Sequence, residues 1–154
     1  MIETQLGGRS WVRGISIGLG VSALTALVMV ILMKAGVSPF PKPPSLAFAE
    51  TLLERELPLP VGLMFHAGYV TFWSLIFVRY FPRRSLKTAL ALAFVLWLVI
   101  LVVFFPLAGW GIAGLKVSPK LIPASLLPHV LFGVLLWGLD KYLPRKHTRA
   151  ETAI

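Results

Sequence analysis

Not one of the 154 residues is cysteine. That excludes disulfides, thiolate metal sites and thiol catalysis, and it leaves the redox character of the compartment unmarked. Carboxylates are scarce too: there are six, and three of them (Glu50, Glu54 and Glu56) are bunched in one short segment. An ion-coupled transporter needs buried acidic residues, and a membrane enzyme needs a nucleophile with a base or a carboxylate-rich metal site. Neither pattern is present, so a non-enzymatic protein is expected. Charge of either sign accounts for 14% of residues, against about a quarter in soluble domains. Apolar residues fill the difference, at 57% of the chain with a mean hydropathy of +0.83.

The charges fall between four long uncharged runs: 14–33, 57–78, 88–115 and 121–139. Each is near the ~20 residues a helix needs to cross ~30 Å of hydrocarbon. Backbone groups find no water in that layer, so each run is expected to be a helix. The spacing predicts an all-α membrane protein, a single four-helix bundle with transmembrane helices at about 14–33, 61–81, 86–106 and 124–143. The first run is too long for a signal-peptide core and lacks a small-residue cleavage site, which makes it a retained anchor. The net charge of +9 is explained by its distribution rather than by nucleic acid. With the N-terminus inside, Arg9, Arg13, Arg79, Arg83, Arg84, Lys87, Lys141, Arg145, Lys146 and Arg149 are cytoplasmic, ten of the fifteen basic residues. That bias places both termini in the cytoplasm of a bacterial inner membrane. No nucleic-acid partner is expected.

In the first helix Gly14, Gly18, Ser22 and Ala26 recur every four residues, a stripe that lets another backbone approach closely. Contact within the chain and homodimerisation both use such a stripe. "GVSPFPKPPSLAFAETLLERELPLP" follows, and its prolines forbid helix until Ser45, a candidate cap for a short helix at about 45–57. Leu46, Ala49, Leu53 and Leu57 fall near one face, with Glu50 and Glu54 on another. This pattern suits a helix lying on the membrane surface, its acids solvated or meeting a cation or partner. Trp11, Trp73, Trp97, Trp110 and Trp137 are expected near the interfaces, where amphipathic rings settle.

The two halves resemble each other. Pro60 matches Pro123, Leu63 matches Leu126, His66 matches His129 and Tyr69 matches Phe132; "RYFPRR" answers "KYLPRK", and "GVSP" answers "KVSP". The unit is a two-helix hairpin used twice in the same orientation, with the surface helix inserted only in the first copy. Helices two and four then run parallel. Their histidines are expected at one depth, about five residues or ~8 Å inside the boundary.

A glycine-rich first helix, a Pro-rich loop, a histidine opening helix two, "FPLAGWG" and a final His129-x-x-Phe132-Gly133 together resemble the YagU-like group of small four-helix bacterial inner-membrane proteins. The likeness spans about residues 10–140 and implies the fold more than an activity. The first copy departs from the pattern, carrying Val70 where the second has Gly133.

A histidine inside a membrane helix is a functional-site hypothesis by default. His66, Tyr69, Val70 and Trp73 share a face of helix two; His129, Phe132, Gly133 and Leu136 share a face of helix four. In an up-down-up-down bundle these helices lie on a diagonal. Two neutral imidazoles could then hold haem b between them, with Gly133 one turn below for clearance and Tyr69 and Phe132 alongside. Such a protein could relay electrons as a subunit. A metal at His66 and His129 would need Glu50 or Glu54 to fold inward. A second reading makes the histidines helix glue in an accessory or assembly subunit of a larger membrane complex, each bonding a carbonyl freed by a proline, such as that of Ala124 below Pro128. Another small ligand between the hairpins is a further option. Asp140 is expected to pair with Lys141 or Arg145, and His147 to be solvated in the basic tail.

Overall fold

In a computed structural model of the chain, residues 2–144 are described, with side chains from residue 10 onward. The expectations for the Arg9 side chain, Arg145, Lys146, His147 and Arg149 fall outside the described residues. Among those described the regular structure is helical throughout: α1 (Ile2–Lys34), α2 (Pro44–Leu53), α3 (Leu59–Tyr80), α4 (Leu86–Val99), a π-helical turn (Ile100–Phe104), α5 (Phe105–Leu107), a 3₁₀ turn (Ile112–Gly114) and α6 (Leu121–Tyr142). Four stretches are long and apolar enough to cross a membrane: Ser10–Lys34, Leu59–Tyr80, Leu86–Leu107 and Leu121–Tyr142. Large apolar side chains such as Leu27, Ile31, Phe94 and Val102 stand exposed on their outer faces. In water such a surface would aggregate; in a bilayer it is solvated. The protein is a four-helix membrane bundle.

The expected boundaries shift by a few residues, for reasons in the chain itself. α6 opens at Leu121 rather than 124, with Pro123 in its first turn. A proline there costs nothing, since that N–H has no helical acceptor. α2 opens on Pro44 at its first position, with no side-chain cap, so Ser45 does not serve as the cap its sequence position suggested. The third span is not continuous α-helix. It widens at Ile100–Phe104, where the Phe105 N–H reaches back five residues to the Ile100 carbonyl, just before Pro106 removes a donor. Gly36 (φ 69°) and Gly109 (φ 76°) close the first and third spans in the left-handed conformation that glycine adopts without strain.

Packing follows the repeat. α3 lies against α1, α6 against α4, and α1 and α6 join the two hairpins. Both copies of the V-S-P motif fold alike: Ser38 Oγ accepts from the Phe40 N–H at 3.4 Å, and Ser118 Oγ from the Lys120 N–H at 3.2 Å. The small-residue stripe of α1 is used within the chain. A Cβ on Gly18 would lie 2.5 Å from Thr71 Cα, and one on Gly14 would lie 3.0 Å from Leu75 Cα. A second copy docking on Gly14, Gly18 and Ser22 would have to displace α3. In the other hairpin the small residue is on the later helix, because a Cβ on Gly133 would lie 3.1 Å from the Ala89 carbonyl and 3.2 Å from Ala93 Cβ. This explains why the copies differ at Val70 and Gly133. Each hairpin needs one close approach, and α1 supplies the glycine in the first.

α2 is not a helix lying free on lipid. Leu46 and Ala49 of the expected face are buried, together with Ala47, whereas Leu53 is exposed, so the buried stripe stops short of Leu53. Gly62 of α3 admits the Leu46 backbone; a Cβ there would lie 2.9 Å from Leu46 Cα. Glu50 ties both ends of this docked helix, accepting from Lys42 Nζ at 2.6 Å and from the Leu57 N–H at 3.3 Å. The Lys42 hydrogen bond is the main cause that holds the Glu50 carboxyl below its ordinary pKa of 4.5.

Two buried clusters fill the bundle. One, toward the end bearing the chain termini, gathers Ile17, Val21, Phe77, Leu92, Leu96 and Leu136. The other, under α2, gathers Phe40, Ala47, Leu101, Phe105, Trp110 and Leu121. Trp110 is therefore packed into this cluster, 8% exposed.

Candidate functional site: a cavity with two histidines

His66 comes one to two turns into α3, and His129 comes at a similar place in α6. Both line one cavity of about 500 Å³. Its walls are α1, α3, the α4–π segment and α6, and its lid is Pro43, Pro44, Ser45 and Phe48 at the start of α2. Gly68 and Phe72 line it while being exposed, so it opens toward lipid on the α3 side. Lysine, arginine and carboxylates are missing from the described lining. The polar groups are the two imidazoles with Thr25, Ser45, Ser125, Tyr69 and the Trp73 indole N–H; aromatic rings make up much of the remainder.

The hydrogen bonds at each ring fix its chemistry. His129 Nδ1 lies 2.7 Å from the Ser125 carbonyl. A carbonyl only accepts, so Nδ1 carries the proton, and the neutral ring keeps a lone pair on Nε2. Ser125 is itself braced: Trp97 Nε1 donates to Ser125 Oγ at 3.1 Å, and that hydroxyl donates to the Ile122 carbonyl at 2.9 Å. Trp97 therefore joins α4 to the turn of α6 that orients His129, a role different from the interfacial one expected for it. The accepting carbonyl belongs to Ser125 and not to Ala124, the one freed by Pro128. The bond is also made within α6, so it joins no helices.

His66 Nε2 lies 3.0 Å from Thr25 Oγ1 on α1. The Thr25 hydroxyl has one proton, and it lies 2.9 Å from the Val21 carbonyl and 3.2 Å from that of Ser22. With that proton on a carbonyl, His66 Nε2–H donates and Nδ1 keeps the lone pair; with it on the imidazole, Nε2 accepts and Nδ1 carries the proton. This bond does bridge two helices.

The expected site residues divide. His66, Tyr69, Val70 and Trp73 all reach the cavity, as do His129 and Phe132; Gly133 does not, because its space is taken by α4. Haem b held between two imidazoles does not fit this arrangement. A haem iron sits on Nε2 in the plane of the ring, and at His66 that position is held by Thr25. His129 alone is oriented as a ligating imidazole is, with Nδ1–H on a carbonyl and Nε2 free. Nor is a metal cage assembled, since among the described residues no three metal-ligating side chains come together. Glu50 is held by Lys42 and Glu54 is exposed, so neither folds inward to the histidines.

Residues that the sequence reading passed over complete the site: Thr25, Ser125 with Trp97, and the Phe48 and Phe104 rings, which meet at 4.7 Å between centroids. Phe104 comes from the π-helical turn and also packs edge-on to Tyr69 at 5.4 Å. Thr25 carried one legible signal, since it continues the Gly14–Gly18–Ser22 face that α3 packs upon.

A family model matches residues 10–151, the whole bundle. The chain belongs to DUF6789, a family of unknown function. No curated protein and no solved structure matches it. Membership in DUF6789 supplies no activity.

Proposed function

We propose that the chain is a non-enzymatic membrane protein that binds a small, largely apolar molecule in the two-histidine cavity. One observation carries this: an uncharged cavity of about 500 Å³, the size range of small-molecule sites, contains both intramembrane histidines. A bundle that needed only packing would fill such a space, because interiors are close-packed. Entry is from the bilayer, past Gly68. A Cβ at Gly68 meets nothing within 4 Å, so Gly68→Trp can fill the mouth without moving a helix. A neutral alkyl diazirine is expected to photolabel residues facing the cavity in the wild-type protein and to lose that labelling at least tenfold in Gly68→Trp. Labelling confined to outward residues such as Leu27 and Phe94 in the wild type would overturn the proposal.

The second reading, helix glue in an accessory or assembly subunit, has support at one histidine. The His66–Thr25 bond joins α1 to α3, and such bonds are worth about 0.6 kcal/mol on average in a membrane. An electron-relay role has less support, because Thr25 holds the ring nitrogen that an iron would need.

The charge distribution supports a bacterial inner-membrane protein with both termini cytoplasmic. This is cleanly testable because the chain has no cysteine. A cysteine replacing Lys42 is expected to react with an impermeant maleimide added to intact cells, and one replacing Arg83 to react only after lysis. The reverse pattern would invert the topology.

A further inference from the structure

We infer that the cavity is selective for a neutral lipid-like molecule whose polar end is a hydroxyl group, of which an alkylated phenol or quinol is the best match. The inference rests on the cavity being a ligand site and adds the class of ligand.

Three observations lead to it. First, His129 spends its proton on the protein, Nδ1–H on the Ser125 carbonyl at 2.7 Å, while His66 Nε2 is taken up by Thr25 Oγ1 at 3.0 Å. What the neutral His129 ring has left is a lone pair on Nε2, which accepts and does not donate. A ligand whose polar end is only a carbonyl or ether has nothing to give this atom. A hydroxyl has.

Second, the described lining holds no cation and no anion. Phosphate, carboxylate and ammonium groups would enter without a counter-charge, and their lost hydration would go unrepaid. His66 stands seven residues after Leu59 and His129 eight after Leu121. At 1.5 Å per residue the polar end therefore lies roughly 10 Å below the helix starts. An ionic headgroup stays nearer the interface; a neutral hydroxyl can go to that depth.

Third, the wall is aromatic where a ring would lie. Tyr69 and Trp73 meet at 70° with centroids 6.3 Å apart, and Tyr69 and Phe104 at 71° and 5.4 Å. Rings in edge-to-face contact present both faces and edges to a further ring. The opening beside the exposed Phe72 lets an alkyl tail trail into the lipid.

The test compares two ligands that differ by one O–H. Binding of 4-octylphenol and of its methyl ether, 4-octylanisole, is measured by equilibrium partition into nanodiscs with and without the wild-type protein. The phenol is expected to bind about five- to tenfold more tightly, the scale of one buried hydrogen bond. His129→Leu, checked for an intact helical circular-dichroism spectrum, is expected to abolish that preference while keeping the weaker affinity for the ether. Equal affinity of the two probes for the wild type overturns the hydroxyl selectivity and leaves the cavity as a binding site. If neither probe binds, the cavity proposal fails as well. The two-probe comparison needs no variant, so a misfolded His129→Leu does not blunt it.

Discussion

Replacing Asp140 with alanine is expected to lower the stability of the bundle by about 3 kcal/mol, the low end of the 3–5 kcal/mol seen when one partner of a buried ion pair is removed. The Asp140 side chain is 4% exposed. Its Oδ1 accepts from Arg13 Nε of α1 at 3.1 Å and from Arg84 Nη1 of the α3–α4 turn at 3.4 Å. Arg13 also donates to the Asp140 carbonyl and, at 3.4 Å, to those of Leu143 and Pro144; Arg84 donates to the Val78 carbonyl at 3.3 Å. One carboxylate therefore gathers α1, the turn after α3 and the end of α6. Without it, two guanidinium groups face each other over a buried end. The low end of the range applies because Arg13 and Arg84 keep 17% and 27% exposure and can turn to water or lipid phosphate. Unfolding in bicelles titrated with dodecyl sulfate measures the loss. In a cycle with Arg13→Leu, the double variant is expected to cost less than the sum of the singles, as coupled partners do. Additive costs would mean that the ion pair contributes nothing.

None of that cluster was legible along the chain. Asp140 has Lys141 beside it, yet adjacent helical residues point about 100° apart and do not face each other. Its partner Arg13 is 127 positions away. What the sequence did disclose is what the bilayer enforces by itself: four apolar runs of fixed length, and hence four helices. Duplication made His66 and His129 legible as a pair, and both do reach one cavity. Their hydrogen-bond partners were not legible, because Thr25 is 41 positions from His66 and becomes its neighbour only when α1 packs on α3. Gly133 shows the limit most clearly. A glycine on a helix announces that something comes close, and the sequence offers a cofactor and a neighbouring helix on equal terms. The Ala89 carbonyl decides for the helix. The short helix α2 was legible, and Leu46 and Ala49 of its expected face are buried; its docking on Gly62 of α3 was not, because the periodicity of 45–57 does not contain Gly62.

The glycines give the second large effect, and they can be graded. Alanine in place of glycine favours a helix by about 1 kcal/mol where nothing is touched. At Gly68 and Gly138 a Cβ meets nothing within 4 Å, so Gly68→Ala and Gly138→Ala are expected to be neutral or slightly stabilising. Gly133→Ala meets the Ala89 carbonyl at 3.1 Å and should roughly cancel that gain. Gly18→Ala brings Cβ to 2.5 Å from Thr71 Cα, and Gly18→Leu drives a whole side chain into the same backbone. Overpacking costs typically 1–3 kcal/mol and occasionally more, so Gly18→Leu is expected to cost at least about 3 kcal/mol and to part α1 from α3. The obstacle is main chain, which sets this clash apart from one between side chains. Trimming Thr71 to glycine removes its Cβ at 3.0 Å and Cγ2 at 3.1 Å but leaves Cα in place. The double variant Gly18→Leu/Thr71→Gly should therefore remain unstable in the same detergent titration. Parting α1 from α3 also breaks the Thr25–His66 bond two turns further along α1. The His66 imidazole would then be free to turn, and the preference for 4-octylphenol over its ether should shrink before the protein unfolds. Full rescue by Thr71→Gly would show that the clash is with the side chain after all, and an unchanged ligand preference in a destabilised Gly18→Ala would show that the α1–α3 seam and the cavity are independent.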